Sequence, residues 1–504
     1  MNEWKQHLPR PLWEEHPEYE EFYWKAWELA HDHIKDIEGM PRTPYMDEAF
    51  CDTQIWIWDT CFMSLFCKYA PHIFPGVESL ENFYGVLHGG KKLAKIIPTE
   101  KEPAWTHKPA GQLCEMDVHI ADNPPLFAWA EYENACMTGD ISHIKTLLYE
   151  KQYLQKHYRW VEALKDHTHP AGVFNRTRLM TEECGYRWEG GRSGMDNTPR
   201  GRLGDHEEKQ RPNNPDMLWL DALCQQALSA LCIAKLFALV EDSANQAEWM
   251  KEYEKKKALL NTLYWDDTDG FYYDIDRNTH AFYKIMTIAS YWGMTAEAAT
   301  PEQAAALVRR LEQPEHFGGD FPFPSLSRSD GDYKPEGEYW RGGIWLPTAY
   351  ATLLGLKNYG FFETAHTTAQ KLLEQMLRTY REMEPHTIWE SYSPEGCLPA
   401  TTEHGERWVR KDFCGWSALG PISVYIEFVL GFHTVNAFTQ TVEWALPEVK
   451  GAIGIRNLRF GETVTDIVAC SGVCTVTANQ AYTLIINGTP YAVQAGENRF
   501  EIKE

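Results

Sequence analysis

The run Gly190-Gly191-Arg192-Ser193-Gly194-Met195-Asp196-Asn197-Thr198-Pro199-Arg200-Gly201 sits near the middle of a 504-residue chain. Its glycines and proline disfavour both helix and strand. The segments on either side, 142–165 and 217–241, carry apolar residues at helical spacing. A long polar loop between two helices is therefore expected over 167–215. Structureless connections beyond about 12–15 residues usually carry function.

Working outward, the same alternation recurs. Tyr23, Trp27, Ala30, Ile34 and Ile37 make one apolar stripe. Helices are predicted over 126–138, 142–165, 217–241, 246–264, 302–312, 345–358, 361–381 and 414–431, with weaker signals at 17–22, 58–69, 78–88 and 280–294. Short gaps such as Thr138-Gly139-Asp140 and Tyr359-Gly360 alternate with Gly/Pro/aromatic loops at 39–57, 89–124, 167–215, 313–344 and 383–412. Helices in antiparallel pairs, with every long loop at one end, predict a mainly α toroid of inner and outer helices. The loops would wall one cleft. From about 437 short β-rich runs take over, and Asn487-Gly488 is a hairpin turn. The expected division is a barrel over 1–436 and a β-rich C-terminal module over 437–504.

Composition narrows the function. Lys and Arg number 48 against 72 Asp and Glu, a net charge of -24 that repels phosphate backbones and anionic lipid. Neither nucleic acid nor membrane is expected as a partner. Leu228–Val240, the longest apolar run, is interrupted by Lys235 and falls short of the roughly 20 residues that span a bilayer. With no apolar leader segment at the N-terminus and no tight framework among the 12 cysteines, a reducing cytoplasm is the expected location. The oligomeric state is left open.

Nucleotide and zinc motifs are missing: there is no G-x-G-x-x-G after a strand, no Walker loop and no H-E-x-x-H. Asp266–Gly270 resembles a calcium loop, but its spacing is not that of an EF-hand. No cofactor or metal is expected. Aromatic residues make up 13% of the chain, and many lie beside Gly, Arg and Asp in loops, where they would suit the apolar faces of sugar rings. Two loop carboxylates stand out: Asp196, and Glu390 in Thr387-Ile388-Trp389-Glu390-Ser391-Tyr392. Alone, Asp196 reads more readily as an ordinary turn residue, and Glu390 equally well as a rim residue.

Their surroundings resemble a family. Trp56-Ile57-Trp58-Asp59-Thr60-Cys61-Phe62 is similar to a W-D-S-x-F block, and Asn123-Pro124-Pro125-Leu126 to Q-P-P-L. Ser193–Pro199, Tyr339-Trp340-Arg341-Gly342-Gly343-Ile344-Trp345 and Glu390-Ser391-Tyr392 complete an ordered set. It resembles the inverting (α/α)6-barrel glycoside hydrolases of families 37 and 63: trehalases, processing α-glucosidases and mannosylglycerate hydrolases. Asn123 and Gly343 depart from the pattern.

The resemblance implies Asp196 as general acid and Glu390 as general base. Trp56, Asp59, Asn123, Tyr339, Trp340, Arg341 and Trp345 would bind the sugar, and Arg341 would pair with a carboxylate. Trp58 reads equally as scaffold or contact. The implied reaction is exo-acting, inverting hydrolysis of a terminal α-linked glucose, or less readily mannose, from a small saccharide or glycoside. Inversion places the carboxyl groups about 6.5–9.5 Å apart. An anionic leaving group would call for Arg192, Arg200, Arg202 or Arg211. The competing readings are a non-catalytic sugar-binding toroid, an inverting phosphorylase and a sugar epimerase on the same fold.

Overall fold

The computed structural model describes residues 3–49, 54–85, 96–99, 126–164, 179–188, 190, 193–202 and 214–502. Asn123, Arg192 and Arg211 lie outside them. In chain order the helices are α1 (Glu18–Asp32), α2 (Ile57–Cys67), α3 (Gly76–Gly85), α4 (Phe127–Thr138), α5 (Ile141–Lys145), α6 (Tyr153–Glu162) and α7 (Leu220–Leu239). There follow α8 (Ser243–Leu259), α9 (Trp292–Thr295), α10 (Pro301–Glu312), α11 (Leu346–Asn358), α12 (Phe362–Glu382) and the wide-turned α13 (Gly420–Val429).

Helices α2, α4, α7, α9, α11 and α13 touch in succession, and α13 returns to α2. That closes a ring, the (α/α)6 toroid. α1, α3, α8 and α12 pack around it. The inner helices are apolar because neighbours surround them: every residue of α13 is buried, whereas α12 buries only one stripe. The same logic accounts for α7. By length and composition it could cross a bilayer, although 83% of its apolar window is buried inside the protein. The sequence reading began the apolar run too late, because Asp221, Gln225 and Gln226 interrupt it; all three are buried in the first half of α7.

The long predicted segments lead into the inner helices, and short turns leave them. α4 ends on Gly139 at φ +68°, and α7 passes to α8 through residues 240–242. Among the described residues, 54–56, 313–345 and 383–419 run directly into the N-terminal ends of α2, α11 and α13. Two helical expectations change. The α1 stripe stops at Asp32, and Ile34–Lys35 pairs with Tyr45–Met46 as a ladder. Within 280–294, Phe282 and Tyr283 pair with Ile275 and Asp274, so helix begins only at Ile288. In both places strand pairing satisfies backbone groups that helical periodicity assigned to a helix.

The C-terminal strands are β2 (Thr434–Asn436), β3 (Thr441–Trp444), β4 (Ile453–Phe460), β5 (Thr463–Cys470), β6 (Val473–Ala478), β7 (Tyr482–Ile486), β8 (Thr489–Val493) and β9 (Gly496–Glu501). They form two sheets, ordered β2-β3-β7-β8 and β4-β5-β6-β9, and the outer edge of the second is β1 (Arg10–Trp13). The N-terminal strand thus belongs to the β part rather than to the ring. Asn487 and Gly488, at φ +47° and +80°, make the β7–β8 turn. The β part rests on the C-terminal end of α4, where Ala437 N–H donates to the Cys136 carbonyl at 2.7 Å and Gly461 N–H to the Met137 carbonyl at 2.8 Å.

Candidate active site

The site is assembled where inner helices begin. Asp59 stands in the first turn of α2, Trp345 immediately precedes α11, and Trp416 and Ser417 lead into α13. Glu390 is 1% exposed. Its N–H donates to the Arg410 carbonyl at 2.9 Å, and its carbonyl accepts from Trp416 Nε1 at 2.8 Å and Ser417 Oγ at 3.1 Å. The backbone of Glu390 is therefore fixed from both sides. Its carboxylate accepts from the Tyr339 hydroxyl at 3.4 Å, from Arg410 N–H at 3.2 Å and from the Arg410 guanidinium at 3.3 Å.

Burial raises the pKa of Glu390, and Arg410 opposes that. Asp59 is pushed up to about 8, by burial and then by the negative fields of Glu390 and Asp196, with Arg410 again opposing. Burial thus favours the neutral acid form of Asp59, which can donate a hydrogen bond. Burial, Glu390 and Asp196 also raise Tyr339 far above the usual phenol range. Asp196 and Glu390, distant in sequence, thus act on the same two side chains. Behind Asp59, Glu48 is wholly buried and accepts the Trp56 N–H at 2.5 Å.

The loop carrying Asp196 is anchored by its neighbours. Gly194 lies at φ +85°, and a Cβ there would fall 1.8 Å from the Trp58 ring, so only glycine lets the loop close onto α2. Asn197 Oδ1 accepts the Trp340 N–H at 2.8 Å, and its Nδ2 donates to the Glu338 carbonyl at 2.9 Å. This clamp holds Glu338 and Tyr339 at φ +33° and +66°, a left-handed pair that costs roughly 1–3 kcal/mol per residue. Asn197 was legible only as the neighbour of Asp196. Arg410, the only cation bonded to Glu390 among the described residues, gave no sequence signal at all.

Several expected binding residues take other places. Trp345 is 0% exposed and stacks on Trp340 at 4.3 Å and 7°. With no surface to offer a sugar, it is the wall behind Tyr339 and not a platform. Trp340 shows only a 2% edge and stacks on Trp58. Trp56 is half-buried. Arg200 is fully buried in ion pairs with Asp221 and Asp274 at 2.8 and 2.7 Å and lies over the Trp219 ring; it cannot meet an anionic leaving group. Arg202 pairs with Asp332 at 2.6 Å. No described carboxylate lies within ion-pair distance of Arg341, which is buried and whose charge is felt at Asp330. At Gly343 the N–H donates to the Tyr339 carbonyl at 3.1 Å, and a Cβ would fall 2.5 Å from that oxygen. The calcium-like turn is closed by Lys284, paired with Asp266 and Asp269. Among the described residues no cluster suits a metal.

The profile of the mannosylglycerate hydrolase MGH1-like glycoside hydrolase domain matches residues 95–404. The chain belongs to this MGH1-like glycoside hydrolase family. It is a glycoside hydrolase with relatives among trehalases and processing glucosidases. The cytosolic neutral trehalase of Beauveria bassiana is 25% identical over 39% of this chain and 30% of its own length. The mannosyl-oligosaccharide glucosidase of Saccharomyces cerevisiae is 26% identical over 53% of this chain and 33% of its own. The chain therefore spans only about a third of either relative. In fold, the MGH1-like chain is similar to the GH63 mannosylglycerate hydrolase of Thermus thermophilus in complex with glucose, with TM-score 0.58 and 16% identity over 80% of this chain and 99% of that one.

Proposed function

We propose that the chain is an inverting, exo-acting α-glycosidase that removes a terminal α-linked glucose, less readily mannose, from a small saccharide or glycoside in the cytoplasm. The reading rests on one observation: Asn197, the neighbour of Asp196, bonds Glu338 and Trp340 on either side of Tyr339, whose hydroxyl donates to Glu390 at 3.4 Å. Asp196 protonates the glycosidic oxygen as the bond to the anomeric carbon breaks. Glu390 takes a proton from a water that attacks the opposite face, so the product is the β-anomer. Tyr339 steadies Glu390 by its hydroxyl. Asp59 holds sugar hydroxyls as a donor, and Asn123 and Arg341 contribute to recognition.

The barrel carries this chemistry, and the β-rich 437–504 supports it. A phosphorylase would place phosphate where the water must sit, beside Glu390, and the buried carboxylate of Glu390 argues against that. An NMR time course over a panel of α-glucosides and α-mannosides tests the reading. β-Glucose is the expected first product, independent of phosphate. α-Glucose as first product, or turnover only with phosphate, would overturn it.

A further inference from the structure

The hairpin that follows Glu390 has no counterpart among the sequence blocks that pointed to the site. Thr402 N–H donates to the Arg407 carbonyl at 2.8 Å and Val409 N–H to the Ala400 carbonyl at 3.0 Å, so residues 400–409 fold back on themselves. The returning arm then lies along the base. Trp389 bridges Lys411, Phe413 N–H donates to the Ile388 carbonyl at 3.0 Å, and Glu390 N–H donates to the Arg410 carbonyl at 2.9 Å.

Arg410 consequently meets Glu390 three times: by its carbonyl, by its N–H at 3.2 Å from Oε2, and by its guanidinium at 3.3 Å from Oε1. The two ends of the pair differ sharply in environment. The Glu390 side chain is 1% exposed, whereas that of Arg410 is 44% exposed. One partner is locked in the protein and the other reaches it from solvent, on a hairpin whose tip carries Glu403, His404, Glu406 and Arg407.

We propose that Arg410 is the positioning residue and counter-ion of Glu390, delivered by the 400–409 hairpin, so that the base is competent only while this arm lies against it. The inference rests on the assignment of Glu390 as the base. Around Glu390 stand Asp59 from α2, Asp196 from the central loop, Tyr339 from the strained turn and Arg410; Glu403 adds a further negative field at Tyr339. Among these groups the carboxyls of Asp59, Asp196, Glu390 and Glu403 and the Tyr339 phenol have Arg410 as their one cation. Burial favours the protonated form of Glu390, which cannot accept a proton from water, and Arg410 is the largest opposing influence. A neighbouring cation typically holds a carboxyl down by about 1–3 pH units.

The test uses Arg410→Gln and Arg410→Lys in the full chain, with Glu390→Gln beside them. In Arg410→Gln the acidic limb of kcat/KM against pH is expected to move up by about 1–2 units. Activity should be largely recovered above it, and Arg410→Lys should fall between this variant and wild type. A uniform loss across pH, or no change, would overturn the proposal. Carbon NMR of protein labelled at the glutamate carboxyl carbons, with Glu390→Gln identifying the resonance, reads the same displacement without turnover. A displaced Glu390 titration in an enzyme whose Glu390→Gln variant keeps wild-type turnover would sink the base assignment and leave the ion pair standing. An undisplaced titration would sink the ion pair whatever the substrate.

Discussion

The side chain of Asn197 holds Trp340 by its N–H at 2.8 Å while its own amide holds the Glu338 carbonyl at 2.9 Å, and Tyr339 lies between those two anchors. The residue next to the proposed acid thereby sets the backbone of the residue that touches the proposed base. Thr401 adds two further ties, its Oγ1 accepting from Glu338 N–H at 3.1 Å and its carbonyl from Tyr339 N–H at 2.9 Å.

Asn197→Ala removes its two anchors and leaves the left-handed turn held only from the Thr401 side. Each lost hydrogen bond costs about 1 kcal/mol, partly offset by released strain, so the melting temperature should change little. The Tyr339 hydroxyl, however, should leave Glu390. A misplacement of this kind lowers kcat on the order of 10²-fold. Steady-state kinetics beside a thermal melt checks this, and a large loss of stability with unchanged kcat would assign Asn197 to the scaffold.

The toroid was legible because outer helices such as α12 bury one stripe at helical spacing while inner helices such as α13 are apolar throughout, and long Gly/Pro/aromatic stretches separate the pairs. Asp59, Asp196 and Glu390 were legible because their blocks resemble a family. What the sequence hid is what burial decides. Trp345 and Trp340 read as sugar platforms beside Gly and Arg, yet they stack on each other behind Tyr339. Arg200 read as a candidate for an anionic group, and only the fold shows it neutralised by Asp221 and Asp274. Arg410 lies twenty residues past Glu390 and reaches it only through hairpin pairing.

Arg200→Met leaves Asp221 and Asp274 buried without their cation, and both are almost completely shielded from solvent. Breaking a buried pair from one side costs about 3–5 kcal/mol. The midpoint of urea unfolding should fall accordingly at neutral pH. Because Arg200 closes the loop that carries Asp196, activity should fall further than stability alone explains. An unchanged midpoint would show that the ion pairs contribute nothing net.

Asp196→Asn tests the acid separately from the base. Protonation of the leaving oxygen is typically worth about 10²–10⁴-fold, so turnover of an unactivated disaccharide should drop by that range. A glycosyl fluoride, which departs without needing that proton, should be affected far less. Equal losses on both substrates would remove Asp196 from the role of acid.

Asp59 gives a prediction about stability against pH. Its pKa is about 8 in the folded protein, against an ordinary value of 3.8. The folded state therefore holds this proton more tightly than the unfolded chain does. Between those two values the folded protein binds more protons, so stability falls as pH rises, by up to about 1.4 kcal/mol per pH unit from this one group. The contribution is complete below the unfolded value and is lost by the time pH passes the folded one. Asp59→Asn keeps the volume and cannot ionise. Its melting temperature should consequently decline less than wild type between pH 4 and pH 8, while its affinity for sugar falls. Melts over that range by scanning fluorimetry read the difference in slope directly, and parallel curves for the two proteins would mean that Asp59 is an ordinary ionised carboxylate in the native state.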